Sequence, residues 1–279
     1  MLMLVKGNSG FGIELVNELT IRKSAFGPGA SRLKRQIEKQ THFQTHLQYD
    51  KVQTAQIYRM IHDADTFYAD MEFVSAKDFI QFLSEADRQD LDAFLEVIIN
   101  FIQRNLANSI NRDVTTPVLE KLVELEGKGI PEHYLEVARS LCGQPVHVPV
   151  GPCHGDLTLS NILFKGERLY VLDFLDSYVE SPLQDIVKLR QDTQYGWSLL
   201  LYRAEFDRAK IQIALRYIDR HIAAKFLLID WCRSHYDLFQ LVNLMRVLPY
   251  CSDGKTAAHI GSSIDRLIAG IPVNQWGAA

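Results

Sequence analysis

His154-Gly155-Asp156-Leu157-Thr158-Leu159-Ser160-Asn161, followed twelve residues after Asn161 by Asp173 in Val171-Leu172-Asp173-Phe174, is the stretch on which the reading of this chain turns. Two carboxylates and a carboxamide at this spacing suit one task, which is to hold a hydroxyl, one or two divalent cations and a polyphosphate in line. Asp156 is placed to accept the proton of an attacking hydroxyl. Asn161 and Asp173 offer the hard oxygen donors that Mg2+ prefers, and a cation held there bridges phosphates and neutralises charge that develops in transfer.

Working outward, the apolar runs Ile162-Leu163-Phe164 and Leu169-Tyr170-Val171-Leu172 flank Lys165-Gly166-Glu167-Arg168. This is the pattern of two short strands and a polar, glycine-containing turn. Such a hairpin returns the chain so that Asp173 lies near Asn161, and the loop before it is expected to carry Asp156 into the same cleft. Pro145, Pro149 and Pro152 mark an extended approach to that loop.

His-Gly-Asp, four residues, Asn, then an apolar-Asp-Phe after a hairpin resembles the aminoglycoside phosphotransferases and choline/ethanolamine kinases. That family shares the bilobal protein-kinase-like fold. The resemblance implies an α+β chain with a small antiparallel β-sheet N-lobe carrying one main helix, residues 1–74, and a larger, mostly helical C-lobe, residues 75–279. It also implies Mg2+-dependent transfer of phosphate from ATP or GTP to the hydroxyl of a small molecule such as a sugar, an amino alcohol or an aminoglycoside. Asp156 then occupies the catalytic position, Asn161 and Asp173 the metal positions, and His154 is a structural loop residue.

The N-terminal part follows the same plan. A strand over residues 2–5 runs into Gly7-Asn8-Ser9-Gly10-Phe11-Gly12, whose three glycines let the backbone approach phosphate oxygens. No Gly-Lys-Ser/Thr follows, so this is not a P-loop. Strands Ile13–Val16 and Leu19–Lys23 come next, joined at Asn17-Glu18. In the resembled fold the second of these carries a cation for the nucleotide phosphates that pairs with a helix glutamate. Arg22 and Lys23 both qualify by distance along the chain, yet they must face opposite sides of the strand. The following helix, with Ser31 as its candidate N-cap and ending near Thr45, has Glu38 as the candidate partner, with Gln36 as the alternative. Strands near 53–60 and 66–72 lead to Met71-Glu72-Phe73-Val74, read as the hinge: backbone near Glu72 to Val74 for an adenine edge, Met71 and Phe73 packing on its faces or into the core.

Beyond Lys77 the pattern turns helical, with segments near 76–86, 88–108, 113–126 and 131–142. Leu91, Phe94, Leu95, Ile98, Ile99 and Ile102 line one apolar face of the second. Only eight residues separate Asp173 from Pro182, and no Ala-Pro-Glu segment for docking a polypeptide is present. A small acceptor is therefore expected. Asp185 is either the carboxylate that steadies the catalytic loop or a plain helix cap. The alternative to a kinase is a catalytically silent nucleotide-binding regulator.

Composition adds bounds. With 47% apolar residues and a formal net charge of −4, a general affinity for nucleic acid or an anionic membrane is not expected. Cys142, Cys153, Cys232 and Cys251 show no metal spacing and read as reduced thiols. The start of the chain lacks a signal-peptide pattern and no run of eighteen apolar residues appears, so a cytoplasmic protein is expected.

Overall fold

The computed structural model describes residues 5–6, 10–47, 49–202, 204–251 and 253–271. In chain order the elements are β1 (Val5–Lys6), β2 (Gly12–Asn17), β3 (Thr20–Phe26), α1 (Pro28–His46), β4 (Val52–Gln53), β5 (Ile57–Asp63) and β6 (Thr66–Glu72). Helices α2 (Phe79–Glu85) and α3 (Arg88–Ala107), strand β7 (Ile110–Asp113), helices α4 (Thr115–Glu126) and α5 (Glu132–Leu141), and strand β8 (His147–Val150) follow. The rest is β9 (Ile162–Lys165), β10 (Arg168–Val171), α6 (Pro182–Thr193), α7 (Trp197–Leu201), α8 (Arg208–Phe226), α9 (Asp230–Val247) and α10 (Gly254–Gly270).

These elements form two compact units, one of residues 1–82 with 160–176, the other of 83–159 with 177–279. The sequence reading had a single break at residue 74. The hairpin after Asn161 belongs with the first unit because β10 pairs in parallel with β4 as well as antiparallel with β9.

In the first unit, a five-stranded antiparallel sheet has the order β1-β2-β3-β6-β5, and β4-β10-β9 form a second, three-stranded sheet. Helix α1 buries Ala30, Leu33 and Ile37 with Phe11, Phe67, Ala69 and Met71 in the core of this unit. Each large apolar side chain so buried stabilises the fold by about 2 kcal/mol. The helix begins four residues earlier than an N-cap at Ser31 implied. Gly27, at φ 54°, is its N-cap and Pro28 opens its first turn, where a missing N–H costs nothing.

The second unit is mainly helical. Its central helix α6 has every residue buried, packed by α3, α8 and α9. Strands β7 and β8 form a two-stranded antiparallel pair with Arg112 opposite Val148. Sequence reading missed β7 because all four of its residues are exposed, so no apolar alternation marks it.

Candidate active site

In the first unit, the β9–β10 hairpin sets Val171 opposite Ile162, and the Leu172 amide donates to the Asn161 carbonyl at 2.9 Å. Asp173 follows at once, at φ 60°. A left-handed conformation at a non-glycine residue costs on the order of 1 kcal/mol, and aspartate tolerates it better than most. The turn ends the strand direction there. The Asp173 carboxylate accepts a hydrogen bond from Lys23 Nζ at 2.8 Å, and the Lys23 side chain is only 5% exposed.

Arg22 and Lys23 take opposite faces of β3. Arg22 stands directly across from Glu14 on β2 and Asp70 on β6. It donates two hydrogen bonds to Asp70, at 2.7 and 3.0 Å, and lies over the Tyr68 ring. Hydrogen bonding to Asp70 outweighs desolvation and holds the guanidinium above its ordinary pKa. Arg22 thus belongs to a cross-strand charge ladder and is set aside as a phosphate ligand.

Glu38 also needs correction. It lies 3.8 Å from Lys34 one turn earlier on α1, half-exposed, and makes no ion pair with Lys23. The inward face of α1 carries Leu33, Gln36, Ile37 and Gln40 instead, and Glu38 sits about 100° around the helix from Ile37. Helix α1 acts elsewhere on the site. Lys39 Nζ donates to the Leu175 carbonyl at 2.8 Å, Arg35 pairs with Asp176 at 2.6 Å, and Phe43 packs on the buried Phe174 ring. Residues 174–176, immediately after Asp173, are therefore pinned by α1.

Of the glycine-rich loop, Gly7, Asn8 and Ser9 lie outside the described residues. Gly10 has φ 79°, and a Cβ at Gly12 would fall 2.8 Å from Ser24 Oγ. Both positions favour glycine for steric reasons that hold without any ligand. Phe11 between them is buried, and the Lys23 ammonium lies 5.1 Å from its ring centroid.

At the expected hinge, Met71 and Val74 are buried, whereas Phe73 is 44% exposed. The Glu72 amide is spent on Gln56 O and the Phe73 amide on Leu19 O, each at 2.8 Å. Val74 has no backbone hydrogen-bond partner for its amide among the described residues.

In the second unit, the loop of residues 154–159 is held from one face of α6. Asp185 accepts from the His154 and Gly155 amides, both at 2.8 Å. The N-cap of α6 is Ser181, so Asp185 anchors the loop and does not cap the helix. Lys188 Nζ lies 3.1 Å from Asp156 Oδ1. Asp192 accepts from the Leu159 amide at 2.5 Å and from Ser198. Positions 185, 188 and 192 are spaced i, i+3, i+7, the period of a single helix face. Sequence reading named only the first of the three, although the spacing was there to find.

Electrostatics follows from this face. Burial is the largest single influence on Asp156 and opposes its ionisation, yet the Lys188 ammonium together with His154 and Arg246 holds the carboxyl below its usual range. Burial pushes Lys188 down, with Asp156 opposing. Burial raises Asp192 to about 6 despite its hydrogen bonds. His154 is fully buried, and its Nδ1 accepts from the Asp156 amide at 3.2 Å. The imidazole is therefore tied to the loop backbone.

A carboxylate-bearing loop held on one helix, and a cation paired to an Asp after a hairpin, define the class of phosphotransferases. The chain belongs to the phosphotransferase enzyme family, whose model matches residues 26–221. Solved structures share its fold. A thermostable mutant of aminoglycoside phosphotransferase APH(4)-Ia, in ternary complex with ADP and hygromycin B, matches with TM-score 0.65 at 11% identity, covering 98% of this chain and 95% of that one. The GDP and kanamycin complex of APH(2")-IIia matches with TM-score 0.67 at 14% identity, covering 96% and 93%. By sequence, the chain is 37% identical over 92 residues, 29% of its length, to the "Probable bifunctional tRNA threonylcarbamoyladenosine biosynthesis protein" of Methanosarcina barkeri (strain Fusaro / DSM 804). The match spans only 16% of that relative's length. No described helix is long and apolar enough to cross a membrane.

Proposed function

We propose that the protein is a small-molecule kinase that transfers the γ-phosphate of ATP or GTP to a hydroxyl, with Mg2+. The observation that carries this reading is the buried Lys23 ammonium paired at 2.8 Å with Asp173, which the hairpin sets beside Asn161. A buried lysine suits the nucleotide phosphates, and the adjoining carboxylate and carboxamide suit the cation that accompanies them. The donor set fits Mg2+. Among the described residues no group of three His, Cys, Asp or Glu forms a protein-only metal cage, and Mg2+ at nucleotide sites takes one or two protein oxygens, the rest coming from phosphates and water. Asn161 and Asp173 would hold the ion, which would neutralise the charge that develops on the transferred phosphate.

Asp156 orients the acceptor hydroxyl and takes its proton. The hydroxyl oxygen bonds to the γ-phosphorus as the bond from that phosphorus to the β–γ bridging oxygen breaks, and the nucleoside diphosphate leaves with the electron pair. The Val74 amide serves the base edge, and Gly10 and Gly12 give backbone access to the phosphates. The eight residues between Asp173 and Pro182 leave little chain for docking a polypeptide. Hygromycin B and kanamycin, bound in the structures of similar fold, illustrate the acceptor class: polyhydroxylated, sugar-like or amino-bearing small molecules. Among the described residues the cysteines form no disulfide, which fits a reducing compartment such as the cytoplasm.

The test is a screen of hydroxylated metabolites for nucleoside diphosphate release, with mass detection of the phosphorylated product. Asp156→Asn is expected to lower transfer by about a thousandfold with nucleotide affinity nearly unchanged. Full turnover in that variant would remove Asp156 from its role. A catalytically silent nucleotide-binding regulator is the second reading, favoured by the absence of a Lys23–Glu38 pair. Tight nucleotide binding with no product over the whole screen would select it.

A further inference from the structure

The loop from Gly155 to Asn161 contains no lysine or arginine, so it brings no cation of its own to Asp156. The cation beside that carboxylate comes from another element. Lys188 projects from the middle of α6, its side chain 6% exposed, and places Nζ 3.1 Å from Asp156 Oδ1. Because every residue of α6 is buried, the ammonium has no easy path to solvent and stays with its partner. The charged and titratable groups around the pair are His154 and Arg246 near Asp156, and Arg246 and Asp192 near Lys188.

On packing grounds alone such a pair is costly. Burying an ammonium carries a large desolvation penalty, and an apolar side chain of similar volume is often as stabilising or more so. A chain that needed only to fill this position had methionine or leucine available. The neighbouring positions 185 and 192 already clamp the loop through backbone amides, so Lys188 is not needed to fix the loop's path. It acts on the side chain of Asp156.

We infer that Lys188 is a positioning residue of the transfer reaction, supplying from α6 the cation that keeps the Asp156 carboxylate charged and oriented toward the acceptor hydroxyl. This rests on the reading of Asp156 as the group that receives the acceptor proton. Before transfer, the ammonium holds Asp156 as the carboxylate that accepts the hydroxyl hydrogen bond. Once that proton has moved to Asp156, with the oxygen–phosphorus bond made and the bond to the leaving diphosphate broken, the ammonium faces a neutral carboxyl. It then favours loss of the proton to solvent, which restores the starting charge.

The experiment compares Lys188→Met and Lys188→Arg, each alone and combined with Asp156→Asn, in the full chain. The readout is turnover with an acceptor from the screen, or phosphate release from ATP to water. Lys188→Met is expected to lower kcat about a hundredfold and leave the nucleotide KM within about threefold. Lys188→Arg should recover most of the loss, and Lys188→Met should have no further effect in the Asp156→Asn background. Equal losses in both backgrounds, or a loss carried by KM, would overturn the proposal. A second arm needs no turnover. The 13C resonance of the Asp156 carboxyl, assigned by its disappearance in Asp156→Asn, should shift in Lys188→Met and return toward its original position in Lys188→Arg. An unmoved resonance would overturn the proposal even if the kinase reading stands. Conversely, an enzyme silent toward every acceptor and water would sink the kinase reading, while the resonance would still decide whether Lys188 governs Asp156.

Discussion

Lys23 and Arg22 are adjacent along β3 and serve different neighbours, so their substitutions should separate cleanly. Lys23→Met is expected to weaken nucleotide binding or lower turnover by roughly tenfold to a hundredfold, about 1.4 to 2.8 kcal/mol, as read by titration and kinetics. Arg22→Met should leave both within about twofold and change stability by less than about 1 kcal/mol, since its ion pairs are partly exposed. Asp192 gives a pH signature. Its folded-state pKa of about 6 lies above the ordinary 3.8, so the protonated form favours the fold. The contribution is present below about pH 4 and is lost as pH rises through about 6, on the order of 3 kcal/mol at most. Urea midpoints should therefore fall over this window, and Asp192→Asn should flatten the fall.

At the scale of elements, α6 holds the loop of residues 154–159 with three side chains along one face and is itself enclosed by α3, α8 and α9. Removing the acceptor at Asp185 leaves two buried amides, His154 and Gly155, without their partner. At about 1–3 kcal/mol for each orphaned donor, Asp185→Ala should cost about 2–6 kcal/mol in chemical denaturation. Helix α1 has a comparable duty in the other unit, pinning residues 174–176 through Lys39, Arg35 and Phe43. It supplies no glutamate to Lys23, because the inward register of its 3.6-residue period falls on Leu33, Gln36, Ile37 and Gln40 rather than on Glu38.

For the whole molecule, ligand binding and stability are linked. ATP with Mg2+ at a hundred times its dissociation constant should add about 2.7 kcal/mol of stability, visible as a higher Tm that EDTA reduces and Asp173→Asn largely abolishes. Much of this architecture was legible beforehand. The order of glycine loop, cationic strand, helix and hairpin marked the fold, and the spacing from Asp156 to Asn161 to Asp173 marked the candidate residues, because alternation and turn chemistry act over a few residues and are written locally. The choice between Arg22 and Lys23 was not local: both occur on one strand, and only the partners across β2, β6 and the β9–β10 hairpin show which faces which. Asp185 was visible as two alternatives until the amides of residues 154 and 155 were found on its carboxylate. Lys188 and Asp192 shared its helical spacing but gave no hint of a partner some thirty residues earlier in the chain. The sequence by itself determined the family of the fold and the chemistry available to it. Tertiary structure alone decided the pairings of charge, because an ion pair depends on distance through space, and a helix face or strand face acquires its neighbours only when the chain has folded.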